Sequence, residues 1–206
     1  DVYYKLFMDD VNKQIIELVK SCVEITKKDW DSKEVSWEFE KHELIKQAFD
    51  ENLTLEDAVD SHKFFWQSKF FSLHQQEEIL NRMLIDQYQL SDEISSQISL
   101  KDVHILQDEV DKIVLSGLNK KLIRSTANNE VENYNEIDLP INNSEIIIQY
   151  LSIAVGCFFG RFSLDKGGFI LANQGETLED YLLKIEKNKT DCTFMPDGDN
   201  IIPILD

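Results

Sequence analysis

Few residues in this chain have the type and spacing that chemistry requires. Its four histidines, His42, His62, His74 and His104, are widely separated. His42-Glu43 lacks the second histidine of a zinc-binding HExxH helix. Asp197-Gly198-Asp199-Asn200 lacks the spacing and the distal glutamate of a calcium loop, and reads as a simple turn. Cys22, Cys157 and Cys192 form no CxxC pair, and an odd, scattered set fits a reducing, cytoplasmic setting. No serine or cysteine sits in a nucleophile context, and no closely spaced glycines follow a strand to make a cofactor loop. The cationic candidates are Arg161 and one local cluster, Lys120, Lys121 and Arg124. Their chemistry would be phosphate neutralisation or contact with another domain.

Arg161 takes its importance from the element before it. From Ile146 to Phe159 only Gln149, Ser152 and Gly156 are not large apolar, aromatic, Ala or Cys. Such a run predicts a helix buried on every side, and it is too short for a membrane span, which needs ~20 apolar residues. Asn142, Asn143 and Ser144 are candidate N-caps, and Gly160 is the expected stop. Gly156 and Gly160 form a GxxxG pattern, read here as close helix packing. Arg161 therefore stands at the C-terminal end of the helix, to bond terminal carbonyls or reach a partner.

Charge bounds the partners. The 206 residues carry a formal charge of −18, yet 42% are hydrophobic, enough for a real core. DNA binding is dominated by phosphate neutralisation, so a body this acidic is not a main DNA clamp. Between Asp29 and Asp60 eleven acidic residues face three lysines, either a solvated face or a surface for a basic partner. The chain starts at Asp1 without Met and ends on an apolar run, as expected of a piece of a longer polypeptide. Sequons at Asn52, Asn142 and Asn188 carry no meaning in a cytoplasmic chain.

The remaining elements read as mostly helical. Val11, Ile15, Leu18, Cys22 and Ile25 make the stripe of a helix over Val11–Thr26, with Ile16, Val19 and Val23 widening it. Val35, Trp37 and Phe39 alternate with Ser36 and Glu38, predicting a short strand. Thr54 with Asp57 caps a rod reaching about Tyr88, ~50 Å long at ~1.5 Å per residue. Its aromatics, Phe64, Phe65, Trp66, Phe70 and Phe71, have few basic neighbours and are expected to pack rather than stack on bases. Further strands are expected over Asp102–Leu106 and Phe169–Ala172, and Thr177 with Asp180 opens a short helix. The expected fold is mainly α with a few short strands. Residues 1–90 would form a helical spacer and 91–206 a compact helical subdomain around the buried helix.

AVGCFFGRFSLD (Ala154–Asp165), then GGFILANQGETLEDYLLKI and FMPDGDNIIPILD, resembles a segment of the PglX-type adenine-specific DNA methyltransferases. These belong to BREX phage-defence systems and are related to type IIG restriction–modification enzymes. DWDSKEVSWEFEKHELI (Asp29–Ile45) and EEILNRMLIDQYQLSDEI (Glu77–Ile94) fit the same family in the same order; roughly Glu109–Asn143 does not. The family-like positions are Gly156, Cys157, Gly160, Arg161, Ser163 and Asp165. The resemblance implies a parent enzyme that methylates adenine N6 in double-stranded DNA with S-adenosylmethionine. Adenine methylation needs Asn or Asp, two prolines and an aromatic around the flipped base. Here Pro140, Pro196 and Pro203 stand apart. No catalytic or cofactor-binding residue is therefore expected in this segment. It would link catalytic and DNA-recognition parts, contacting DNA or its own catalytic domain through Lys120, Lys121, Arg124 or Arg161. The alternative is an acidic protein-interaction module that recruits a basic partner among defence proteins. Neither reading involves a metal or a membrane.

Overall fold

A computed structural model describes residues 2–50, 53–118 and 137–198. Its helices are α1 (Val2–Asp31), α2 (Glu43–Asp50), α3 (Leu55–Tyr88), α4 (Asn143–Phe158) and α5 (Leu178–Ile185). A helical stretch also covers 112–118, and a 3-10 turn covers Leu100–Asp102. The fold is mainly α, and no strand forms among the described residues. Among them, too, no helix is long and apolar enough to cross a membrane. The chain divides into two units, Asp1–Asp29 with Lys63–Asn142, and Trp30–His62 with Asn143–Asp206. The division expected at residue 90 falls inside the first of these.

In the first unit, Val11, Ile15, Leu18, Cys22 and Ile25 are the less exposed positions of α1, as their spacing predicts. Ile16, Val19 and Val23 do not widen that face; they are exposed. Ile25 joins Trp66, Phe70, Phe71 and Leu73 of α3 in one core. Of the α3 aromatics Phe64 and the terminal Tyr88 are strongly exposed. Phe65 meets Trp66 edge-on at 5.2 Å, with Lys28 Nζ 4.5 Å from its ring centroid. The helix ends on Gln89, whose positive φ of 57° lets Leu90 N–H reach the Ile85 carbonyl at 2.9 Å.

The strand expected over Asp102–Leu106 is absent. Leu100, Val103, Ile105 and Leu106 instead enter the core from irregular backbone. Side chains take over the backbone bonding there: Asp29 accepts from Leu106 N–H at 3.2 Å, and Gln67 from Leu139 N–H at 2.8 Å. Among the described residues ladder pairing is limited to a single antiparallel bridge, Val110 with Ile141.

In the second unit the expected strand at 35–39 is also replaced. Residues 33–39 form consecutive turns, with Ser36 N–H on the Lys33 carbonyl (3.0 Å) and Phe39 N–H on the Ser36 carbonyl (3.2 Å). The burial pattern is not that of a strand. Ser36 is buried, bonded to Asp31 at 2.9 Å, while Trp37 is 96% exposed. The third expected strand, Phe169–Ala172, bonds to the 160–161 backbone and to the Glu176 carboxylate, not to another strand.

Helix α4 is not buried all round. Ile146, Ile153, Gly156 and Cys157 are buried, whereas Ile148, Leu151, Val155 and Phe159 are exposed. Composition alone cannot say which side of an apolar helix finds a neighbour. The buried side packs with Phe39, Ile45 and Phe162. Helix α5 carries the expected capping box: Thr177 Oγ1 accepts from Asp180 N–H, and Asp180 accepts from Thr177 N–H at 2.8 Å.

Candidate functional site

The end of α4 builds the candidate site, and its backbone explains why. Gly160 has a φ of 70°, the left-handed conformation that stops a helix. Gly160 N–H bonds the Cys157 carbonyl at 3.1 Å, and Arg161 N–H bonds the Gly156 carbonyl at 2.8 Å. This pair of bonds is a Schellman turn, so the last carbonyls are satisfied by backbone. The Arg161 side chain is thereby released from capping. The two glycines pack closely, but not in a helix pair. A Cβ on Gly156 would meet the Phe162 ring, and one on Gly160 would meet Leu171, Pro196 and Tyr181.

The chain then turns back on itself. Ile170 N–H bonds the Arg161 carbonyl at 2.8 Å, and Leu171 N–H bonds the Gly160 carbonyl at 3.1 Å. This return brings Phe169 to Phe162 (centroids 5.4 Å apart), and Phe39 meets Phe162 edge-on at 5.3 Å. The Arg161 guanidinium rests on this cluster, 5.2 Å from the Phe169 centroid and 5.5 Å from that of Phe162. Such contacts contribute about 0.5–1 kcal/mol at exposed sites. No carboxylate pairs with Arg161 among the described residues. It lines a cleft of about 520 Å³ with Glu34, Val35, Ser36, Trp37 and Phe169.

Ser163 and Asp165 hold the loop beneath. Asp165, with a side chain 4% exposed, accepts from Lys187 Nζ at 2.7 Å, Thr193 N–H at 2.9 Å and Thr193 Oγ1 at 2.6 Å. Burial pushes its carboxyl up, but these bonds outweigh burial and leave it below the usual carboxylate range. Ser163 Oγ accepts from Asp165 N–H at 3.1 Å. Burial raises the Cys157 thiol to about 11, so it is protonated and inert at neutral pH. Of the family-like positions, then, Gly156, Cys157, Gly160, Ser163 and Asp165 shape the turn, and Arg161 faces outward. Lys120, Lys121 and Arg124 lie outside the described residues.

One pair escaped sequence reasoning. His42 and His62, far apart in the chain, stack with centroids 5.3 Å apart and an interplanar angle of 12°. Both are buried. His42 Nδ1 accepts from Leu44 N–H at 3.3 Å, which puts the proton on Nε2, facing Gln149 Oε1 at 3.0 Å. Burial lowers both pKa values, that of His62 to about 3. Neutral stacked rings of this kind serve packing. No group of three or more His, Cys, Asp and Glu could hold a metal among the described residues.

Two known proteins match nearly the whole chain. The "Adenine-specific methyltransferase PglX" of Lacticaseibacillus casei (strain Zhang) is 26% identical over 195 residues, 94% of this chain and 13% of that protein. The "Adenine-specific methyltransferase BrxX" of Escherichia coli O9:H4 (strain HS) is 26% identical over 200 residues, 95% of this chain and 14% of its own length. The chain is similar to one stretch of adenine-specific methyltransferases. It spans about one seventh of these relatives' length. No family model and no solved structure matches it.

Proposed function

We propose that this chain is a non-catalytic, helical connecting segment of a site-specific DNA methyltransferase acting on adenine N6. The parent would use S-adenosylmethionine, act in the cytoplasm and serve a BREX or restriction–modification-like phage defence. The carrying observation is the asymmetry of the match: 94–95% of this chain, but only 13–14% of the relatives. A proline-paired adenine motif is missing from the chain, so methyl transfer and cofactor binding are assigned to other parts of the parent. The segment's role is to hold catalytic and DNA-recognition parts in register. Lys120, Lys121, Arg124 and Arg161 are its proposed contacts with DNA or with the catalytic domain.

A second reading rests on the charge of −18, which suits an acidic module that recruits a basic partner in a defence complex. One comparison separates the two. In the full-length parent, Arg161→Ala should lower methylation strongly with only a small fall in the denaturation midpoint, from the lost ring contacts. The 206-residue chain alone should neither methylate DNA nor bind S-adenosylmethionine by calorimetry. Stoichiometric cofactor binding by this chain would refute the connecting role. Full methylation by the variant, with loss of a basic partner, would favour the second reading.

A further inference from the structure

We infer that the cleft between Trp37 and Arg161 is a binding site for one unstacked nucleotide. The base would lie against Trp37, the phosphate on Arg161 and an exocyclic amine on Glu34. Three features of the cleft carry this. The first is a cation held in place and left without a carboxylate among the described residues. The Schellman turn fixes the Arg161 backbone, and the Phe162 and Phe169 rings support its guanidinium. In a chain with 39 acidic and 21 basic residues, an arginine that meets no carboxylate among the described residues is a position suited to an anion from outside.

The second is the exposed ring. Trp37 is 96% exposed although it sits in a turn anchored by the buried Ser36. Ser36 Oγ bonds Asp31 and accepts from Glu38 N–H at 3.2 Å, so the turn presenting Trp37 is braced on both sides. A braced, solvated indole is a stacking platform, and every base has a face to offer it. The third is size and mixed polarity. About 520 Å³ lies within the range of about 300–1,000 Å³ usual for small-molecule clefts.

Charge then selects among ligands. Duplex DNA presents one phosphate per about 1.7 Å of axis and needs many cations. The cleft supplies a single arginine, which matches the one phosphate of an unpaired nucleotide. An acidic peptide could also reach Arg161, but Glu34 on the same wall opposes a second carboxylate and welcomes an amine donor. The class of ligand follows from the cleft; the choice of a deoxynucleotide rests on the function proposed above.

The test is an NMR titration of the 206-residue chain, following the Trp37 indole N–H and Arg161 Nε–H signals. With dAMP at low salt, both should shift with half-saturation on the order of a millimolar. Inorganic phosphate alone and dTMP, which lacks the amine, should each bind more weakly. Arg161→Ala should weaken dAMP about tenfold or more. Glu34→Ala, which removes the acceptor, should erase the preference for dAMP over dTMP. The inference is overturned by absent shifts, by undiminished binding in Arg161→Ala, or by phosphate binding as well as dAMP. N-acetylphenylalanine binding as tightly as dAMP would overturn it in favour of a peptide. Retained dAMP preference in Glu34→Ala would overturn the amine contact. The titration reads the cleft without any methylation, so its failure is distinct from failure of the parent assay.

Discussion

Gly156 lies directly against the ring of Phe162: a Cβ built on it would stand 2.4 Å from Phe162 Cδ2 and 2.6 Å from Cε2. Phe162 is itself 3% exposed, wedged beside Phe39 and Phe169, so the ring has little room to retreat. Gly156→Ala should therefore destabilise the second unit. Helix propensity favours Ala by about 1 kcal/mol, while overpacking of a filled core costs about 1–3 kcal/mol. The net is a loss of up to about 2 kcal/mol. Urea denaturation reads it as a lower midpoint, and a raised midpoint would show that the ring yields.

Phe162 and Phe158 make a second, comparative prediction. Both sit at the end of the same apolar run, and sequence alone does not rank them. Phe162 is buried, whereas Phe158 is half-buried and meets Phe194 edge-on at 5.1 Å. Phe162→Ala should cost ~3–5 kcal/mol, the usual cost of emptying an aromatic core position. Phe158→Ala should cost clearly less. Equal losses in parallel denaturation curves would place the core nearer Phe158.

The contrast between these residues shows what the sequence carried. The α1 stripe was legible because a helix repeats its buried face every 3.6 residues, and Val11 to Ile25 keep that period. The Gly160 stop and the Thr177–Asp180 box were legible because each is local chemistry between near neighbours. The three strands were misread for one reason. Alternation or a short apolar run signals only that side chains face two ways, and a strand also needs a partner edge, which these segments never meet. Ser36 shows the difference, since it is buried by its bond to Asp31 rather than by pleating. The cleft was legible in half. Arg161 could be placed at a helix end, but nothing local brings Trp37 to the same cleft, or His42 to His62.

Asp165 gives a third prediction. It satisfies Lys187, Thr193 N–H and Thr193 Oγ1 together, tying the turn after α4 to the loop after α5. Asp165→Ala leaves those donors to solvent or to no partner, and should cost about 1–3 kcal/mol. Asp165→Asn keeps an acceptor but loses the charge facing Lys187, and should fall between the wild type and the alanine variant. The ranking can be read from thermal midpoints. If Asn matches Ala, the charge rather than the hydrogen-bond geometry is what holds the loop.

The histidine pair makes stability depend on pH, and the sign follows from burial. In the unfolded chain each imidazole takes a proton near pH 6.5. In the fold, burial lowers both values, and the His62 pKa reaches about 3 because His42 and Lys33 add to that effect. A depressed folded pKa means that the unfolded state binds more protons between these limits. Stability is then complete above about pH 6.5 and declines as pH falls. By about pH 5 the His62 site alone should have lost roughly 2 kcal/mol, before most carboxylates begin to protonate. Urea midpoints measured between about pH 7 and 5 should fall accordingly. In His62→Phe, which keeps a ring to stack on His42 but cannot take a proton, the fall should be clearly shallower. An equally steep fall in that variant would assign the acid sensitivity to groups other than His62.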